Sequence, residues 1–276
     1  MPSMVSLIGL ALAGVAAAPP IAQRHWRKSS EEMVRGMRSA RASQGEPIGE
    51  SDWAGLPPPV ATYFRRALPV GKLPLTSVQV EQVGQMLIND RWRDFSAVEQ
   101  LSARPAGFVW DARIRMAPLV YTLVRDAYID GTASMGASLA GLFRVADERG
   151  GEALNAGALS RYLAEATWIP AALLPRYGVV WTAVDETRAL ATLRDFGTTV
   201  ALEFTFNTNG EAIRIFTPSR YRTVEGHFEP TPWQGRFGDY AERCGMWIPL
   251  EAEVSWQIAG NWQPWWRGRI IGVKPM

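Results

Sequence analysis

The chain has one cysteine and two histidines in 276 residues. Cys244 has no partner in the chain, so an intrachain disulfide cannot form and a cysteine-based metal site is excluded. Folding therefore does not depend on an oxidising compartment, though the count does not forbid one. With only His25 and His227, a multi-histidine zinc site is out of reach, and a catalytic triad has at most one candidate base in the folded body. Excess charge is missing too: 29 basic residues face 27 acidic ones, which leaves no basic face for a nucleic acid. Gly136, Gly141 and Gly150-Gly151 follow neither the phosphate-loop nor the dinucleotide spacing, and no Gly-x-Ser-x-Gly elbow occurs. No cofactor, metal ligand or catalytic residue is assigned.

Tryptophan, by contrast, is abundant at twelve residues. A buried indole needs a partner for its N–H, so this enrichment suits a wide aromatic core, a ligand groove or a membrane-interface belt. Residues 4–22 are uncharged and mostly Ala, Leu, Val, Ile and Gly. As a helix they would reach about 28 Å, barely a bilayer core, with Pro19 and Pro20 disturbing the last turn. Two readings fit residues 1–23. Ala16-Ala17-Ala18 resembles a signal-peptidase site, but no Lys or Arg precedes the run. The basic cluster that follows (Arg24, Arg27, Lys28, Arg35, Arg38, Arg41) favours a single-pass anchor at the cell membrane. By the positive-inside rule it puts the rest of the chain on the cytoplasmic side, with export to the periplasm as the alternative. Residues 24–50 read as a basic helix over 31–42 followed by a Gly- and Pro-punctuated linker, and residues 51–276 as one domain.

Within that domain the hydrophobic period is two. Met246, Ile248, Leu250, Ala252, Val254, Trp256 and Ile258 alternate with mostly polar neighbours, a strand of about 43 Å. Strands are expected at 78–88, 92–101, 108–116, 124–130, 133–145, 179–184, 189–194, 198–206, 212–217, 221–224, 233–241, 246–258 and 265–273, with Gly84 as a bulge. Helices are few: one from Pro58 or Pro59 to Leu68, and one over 158–167 capped by Asn155, with a further turn at 171–174. Hardly any strand reads as buried on both faces. The expected fold is therefore α+β: a large, curved, half-barrel-like antiparallel sheet wrapped on one face around a few helices.

Several stretches resemble an uncharacterised bacterial family of membrane-linked proteins that share a domain of unknown function. They are Gly107-Phe108-Val109-Trp110-Asp111-Ala112-Arg113, the segment 160–170 ending in Trp168-Ile169-Pro170, Thr231-Pro232-Trp233-Gln234-Gly235, and its continuation through Asp239-Tyr240 and Gly245 to Glu253-Val254-Ser255-Trp256. This resemblance covers roughly residues 52–273; it identifies relatives and brings no activity with it. The pattern Phe237, Asp239-Tyr240, Gly245, Ile248-Pro249 is also similar to the lipoprotein-carrier superfold of LolA, LolB and RseB-like domains. That likeness implies a curved sheet enclosing an apolar cavity.

Acidic pairs such as Asp126 with Asp130 fall where turns and solvated faces are expected, so paired-carboxylate catalysis is not assigned. The favoured reading is a noncatalytic, membrane-tethered domain that binds an apolar or lipid-like ligand. Expected lining residues are Trp110, Ile114, Phe204, Val254 and Trp256 from strands, with Trp168 from the helical segment. Arg161 and Glu165 form an i,i+4 pair, either an ordinary surface pair or a polar contact at the cavity mouth. The alternatives are a protein-interaction or envelope-sensing module, and an enzyme acting on a lipid or glycan.

Overall fold

The computed structural model describes residues 20–39, 46–118 and 120–276. The apolar run at 4–22 lies almost wholly outside them, as does the last part of the expected helix over 31–42. Among the described residues, no helix is long and apolar enough to cross a membrane.

Thirteen strands form one antiparallel sheet, curled into a half-barrel. The first meander is β1 (Ser77–Ile88), β2 (Arg91–Ala103), β3 (Ala106–Ala117), β4 (Val120–Ile129), β5 (Thr132–Leu139) and β6 (Phe143–Arg149). The second is β7 (Val179–Ala183), β8 (Arg188–Asp195), β9 (Thr198–Phe206), β10 (Ala212–Val224), β11 (His227–Arg243), β12 (Met246–Ile258) and β13 (Asn261–Pro275). Pairing of β1 with β13 fuses the two, so the sheet runs β6-β5-β4-β3-β2-β1-β13-β12-β11-β10-β9-β8-β7. Helix α1 (Pro20–Ser39) precedes the meanders, α2 (Pro58–Ala67) leads into them, and α3 (Glu152–Glu165) joins them.

Alternation decides which side is wet. On β3, Phe108, Trp110, Ala112 and Ile114 are buried against the helices, and Arg113 and Arg115 point outward. Helix α3 fills the concavity against β9, β10 and β3–β5, and the 3-10 turn Pro170–Leu173 continues the plug towards β2. Helix α2 contributes Tyr63 and Phe64, which join Trp53, Trp181, Phe204 and Phe206 in a ring cluster with centroids 5.1–6.3 Å apart. Trp53 is fixed by its Nε1 donating to Glu50 at 2.9 Å.

Several boundaries differ from the sequence reading. The segment 133–145 is two strands, because Ala140 and Gly141 take positive φ and reverse the chain. Segments 212–217 and 221–224 are one strand with an irregularity between Thr217 and Arg220. Gly84 is not the bulge in β1; the register shift falls at Glu81/Gln82. Its place is a close approach, since a Cβ there would lie 2.2 Å from the Arg267 carbonyl oxygen. Asn155 does not cap α3, which begins three residues earlier; its Oδ1 instead accepts the backbone N–H of Ala133 at 2.9 Å.

Helix α1 starts earlier than the expected 31 and packs on the convex face. Trp26 Nε1 donates to both oxygens of Asp111 (3.0 and 3.1 Å), and the Ser30 hydroxyl donates to the same carboxylate. Arg125 lies over the Trp26 ring at 4.3 Å and donates to the Trp26 carbonyl at 2.6 Å. Val34 and Met37 bury the next two turns.

Candidate functional site

A polar residue on an inward strand position must find its partners inside. Two such residues are diagonal neighbours on β1 and β2. Gln82 follows Val78 and Val80 on the inner face, and Glu99 stands between Ala97 and Leu101. Gln82 Nε2 donates to Glu99 at 2.8 Å, and Trp110 Nε1 on β3 donates to Gln82 Oε1 at 2.9 Å. Above them, α3 lowers Arg161 into the group. Its guanidinium pairs with Glu99 at 3.3 Å, Asp126 of β4 at 2.7 Å and Glu165 at 2.8 Å. It also lies 4.8 and 4.9 Å over the rings of Phe108 and Trp110.

The Glu99 side chain has no exposed surface. Burial, then the charge of Glu165, push its pKa well above the ordinary carboxyl value, against the pull of Arg161. Glu165 is raised as well, chiefly by burial. Of the two, Glu99 is raised the more strongly. Arg161 fills the place a cation would take among these carboxylates, and a substrate could not reach Glu99. The cluster holds paired charge inside the sheet.

Beside it, Arg220 projects from β10. Its guanidinium lies 4.8 Å over the Trp233 ring and 5.3 Å over the Trp256 ring, and donates to the carbonyl of Gly157 on α3 at 3.1 Å. Trp233 and Trp256 are register partners on β11 and β12.

The expected lining residues thus divide. Trp110, Arg161 and Glu165 meet in one cluster, and Trp256 joins it through Arg220. Val254 precedes Trp256 on the same inner face of β12, opposite Gly235 and Trp266. Ile114 is buried further along β3, Phe204 belongs to the separate ring cluster under α2, and Trp168 is buried after α3. Arg161 and Glu165 are not a surface pair: their side chains are 17% and 15% exposed. Asp126 lies inside β4 and not in a turn. Glu99, Gln82 and Asp126 were recognisable only by strand parity, as polar residues where an apolar one is expected. Arg220 gave no such signal, because the irregularity in β10 resets the parity before it.

Burial fades along the inner face towards one rim. On β12, Met246, Ile248, Leu250 and Ala252 are buried, while Val254, Trp256 and Ile258 are half-buried. On β1, Val78 and Val80 are buried, while Met86 and Ile88 are half-buried. Val120 and Val124 on β4 and Trp265 on β13 are likewise partly buried against the core. The hairpin ends at Ile88, Val120 and Ile258 belong to this rim. Depressions on the convex side differ in character: one of about 750 Å³ beside α1 is lined by Arg125, Arg144, Asp147 and Arg149.

Among solved structures, a LolA superfamily protein from Nitrosomonas europaea is 10% identical, covering 79% of this chain and 92% of its own, with a TM-score of 0.42. An outer membrane lipoprotein-sorting protein domain from Vibrio parahaemolyticus is 7% identical over 72% and 85%, at 0.40. A DUF1329 family protein from Desulfovibrio piger is 11% identical over 90% and 92%, at 0.40. No curated protein matches the sequence significantly. The model of a family of unknown function, DUF6920, matches residues 54–274, and the chain belongs to that family.

Proposed function

We propose that this protein is a noncatalytic binding domain whose concave face takes an apolar or lipid-like ligand at the rim, and that residues 4–22 tether it to a membrane. The observation that carries the reading is the fading burial on adjoining strands. Met86, Ile88, Val120, Val124, Val254, Trp256 and Trp265 present apolar surface inward, above a polar floor of Asp126, Arg161 and Glu165. Apolar walls with a few convergent polar groups are the usual make-up of a small-molecule site. Covering those walls is favourable by about 25 cal/mol for each Å² removed from water.

The tether reading rests on the sequence and on where α1 begins. Gln23 donates to the Tyr121 hydroxyl beside the β3–β4 turn, so the chain enters the described structure at this same rim. Arg24, Arg27 and Lys28 are exposed there, and the positive-inside rule places the domain on the cytoplasmic side. Solvent extraction of the purified full chain is expected to release close to one lipid per molecule. An extract without lipid, combined with no displacement of the neutral fluorophore N-phenyl-1-naphthylamine by hexadecanol, would overturn the binding reading.

A further inference from the structure

The two partly buried arginines of the inner face are treated unequally. Arg161 has three carboxylates within ion-pairing distance, whereas Arg220 has none among the described residues and donates only to the Gly157 carbonyl. Burial, then the facing charge of Arg161, draw the Arg220 pKa down to about 10, so it stays cationic at neutral pH. A guanidinium drawn from water with no carboxylate in contact is costly, and Asp126 and Glu165 offset only part of that cost from beyond ion-pairing distance. A second donor stands beside it. Trp233 is 3% exposed, and its Nε1 is buried without a hydrogen-bond partner. Trp265 Nε1 and Arg222 Nε are also buried without a hydrogen-bond partner.

The position also matters. Arg220 is only partly buried, so a ligand can reach it, and Trp256, over whose ring it lies, belongs to the half-buried apolar wall. Arg220 pairs with Thr231, on the rim side of the Trp233–Trp256 pair, so a group bound to it would have its apolar remainder run inward from the rim along Trp256 and Val254.

We propose that Arg220, with the Trp233 indole N–H, is an anion-binding site that takes the acidic head of a single-headed amphiphile, a carboxylate or a phosphate, whose chain occupies the apolar wall. This rests on the binding reading above and gives its ligand a chemical class. Guanidinium binds both oxyanions through charge-assisted hydrogen bonds, and the indole adds one more.

The test compares hexadecanoate, hexadecyl phosphate and hexadecanol as displacers of N-phenyl-1-naphthylamine from the full chain. Both anions are expected to bind at least about tenfold tighter than the alcohol. The tighter anion identifies the head group as carboxylate or phosphate. In Arg220→Met the preference should vanish while hexadecanol binding persists, which also reports that the variant is folded. Trp233→Phe keeps the ring and should lose about threefold in anion affinity with hexadecanol unchanged. Equal binding of anion and alcohol by the natural chain, or a preference that survives Arg220→Met, would overturn the anion site and leave apolar binding standing. Failure of all three displacers would instead overturn the binding reading.

Discussion

At the scale of single residues, Glu99 is the most constrained group in the molecule. It lies at a strand position that alternation reserves for an apolar side chain, and it is held there by Gln82 and Arg161. Its folded pKa lies above the ordinary 4.5, so the folded state keeps a proton that the unfolded chain releases as pH rises. The contribution to stability is therefore complete below about pH 4.5 and is lost progressively as pH climbs towards the folded pKa. Glu99→Gln retains the shape and the proton-donating end without the titration. The variant is expected to match the natural chain near pH 4 and to exceed it by about 1–4 kcal/mol at pH 8, where the buried charge would be most costly. Urea unfolding of both proteins at pH 4, 6 and 8 reads this directly, and parallel curves at all three would refute a buried proton at this site. The sequence shows Glu99 in an apolar register but cannot show that Arg161, sixty-two residues later, turns inward to meet it.

At the scale of elements, α1 shows how a strand's wet face can still be a structural surface. Asp111 alternates with the buried Trp110 and Ala112, so it points away from the core, and α1 covers it there. Asp111→Ala removes the acceptor shared by Trp26 and Ser30 and leaves Arg125 beside unsatisfied donors. Hydrogen exchange across residues 23–39 is expected to accelerate at least about tenfold while β1–β3 keep their protection, because only local opening becomes easier. Unchanged exchange in α1 would show that Val34 and Met37 alone secure the helix. Much of the element order was legible. The bounds of β12 are those of the alternation at 246–258, since one face is apolar throughout and register has no freedom. Reversals were legible where Asn-Gly or Asp-Gly mark them, as at Asp130-Gly131. The Ala140-Gly141 reversal was not, because alanine at positive φ carries no sequence signal. Docking of α1 was equally hidden: its partners Asp111 and Arg125 read as ordinary solvated charges until the helix is placed on them. Trp110, Arg161, Glu165 and Trp256, expected from aromatic and helical spacing, are placed near one another by the fold, with Arg220 between Trp256 and the rest. Gln82 and Asp126 show only as polar residues at inward strand positions, and Arg220 follows a strand irregularity that no local pattern encodes.

At the scale of the whole molecule, two consecutive meanders are joined by the first and last strands, and this topology creates the rim. Because β1 and β13 pair at the centre, the hairpin ends after β1, β3 and β12 lie along one margin of the sheet. The half-buried apolar residues face inward at that margin, and α1 begins at it, through Gln23 and Tyr121. A tether formed by residues 4–22 would therefore bring the open margin to the bilayer surface. The opposite end, where Val78, Leu101 and Phe108 are fully buried, would face away. A ligand could then pass between membrane and concave face without exposing its chain to water, a transfer that would otherwise cost about 0.8 kcal/mol for each methylene. This arrangement predicts where a membrane lipid will touch the protein. When the full chain is reconstituted in vesicles containing a lipid with a photoactivatable acyl chain, labelling is expected on the segments 86–88, 120–124 and 254–266. Labelling confined to the convex face beside Arg144 and Arg149, or spread evenly over the surface, would place the open margin away from the bilayer. It would also separate the tether from the binding face.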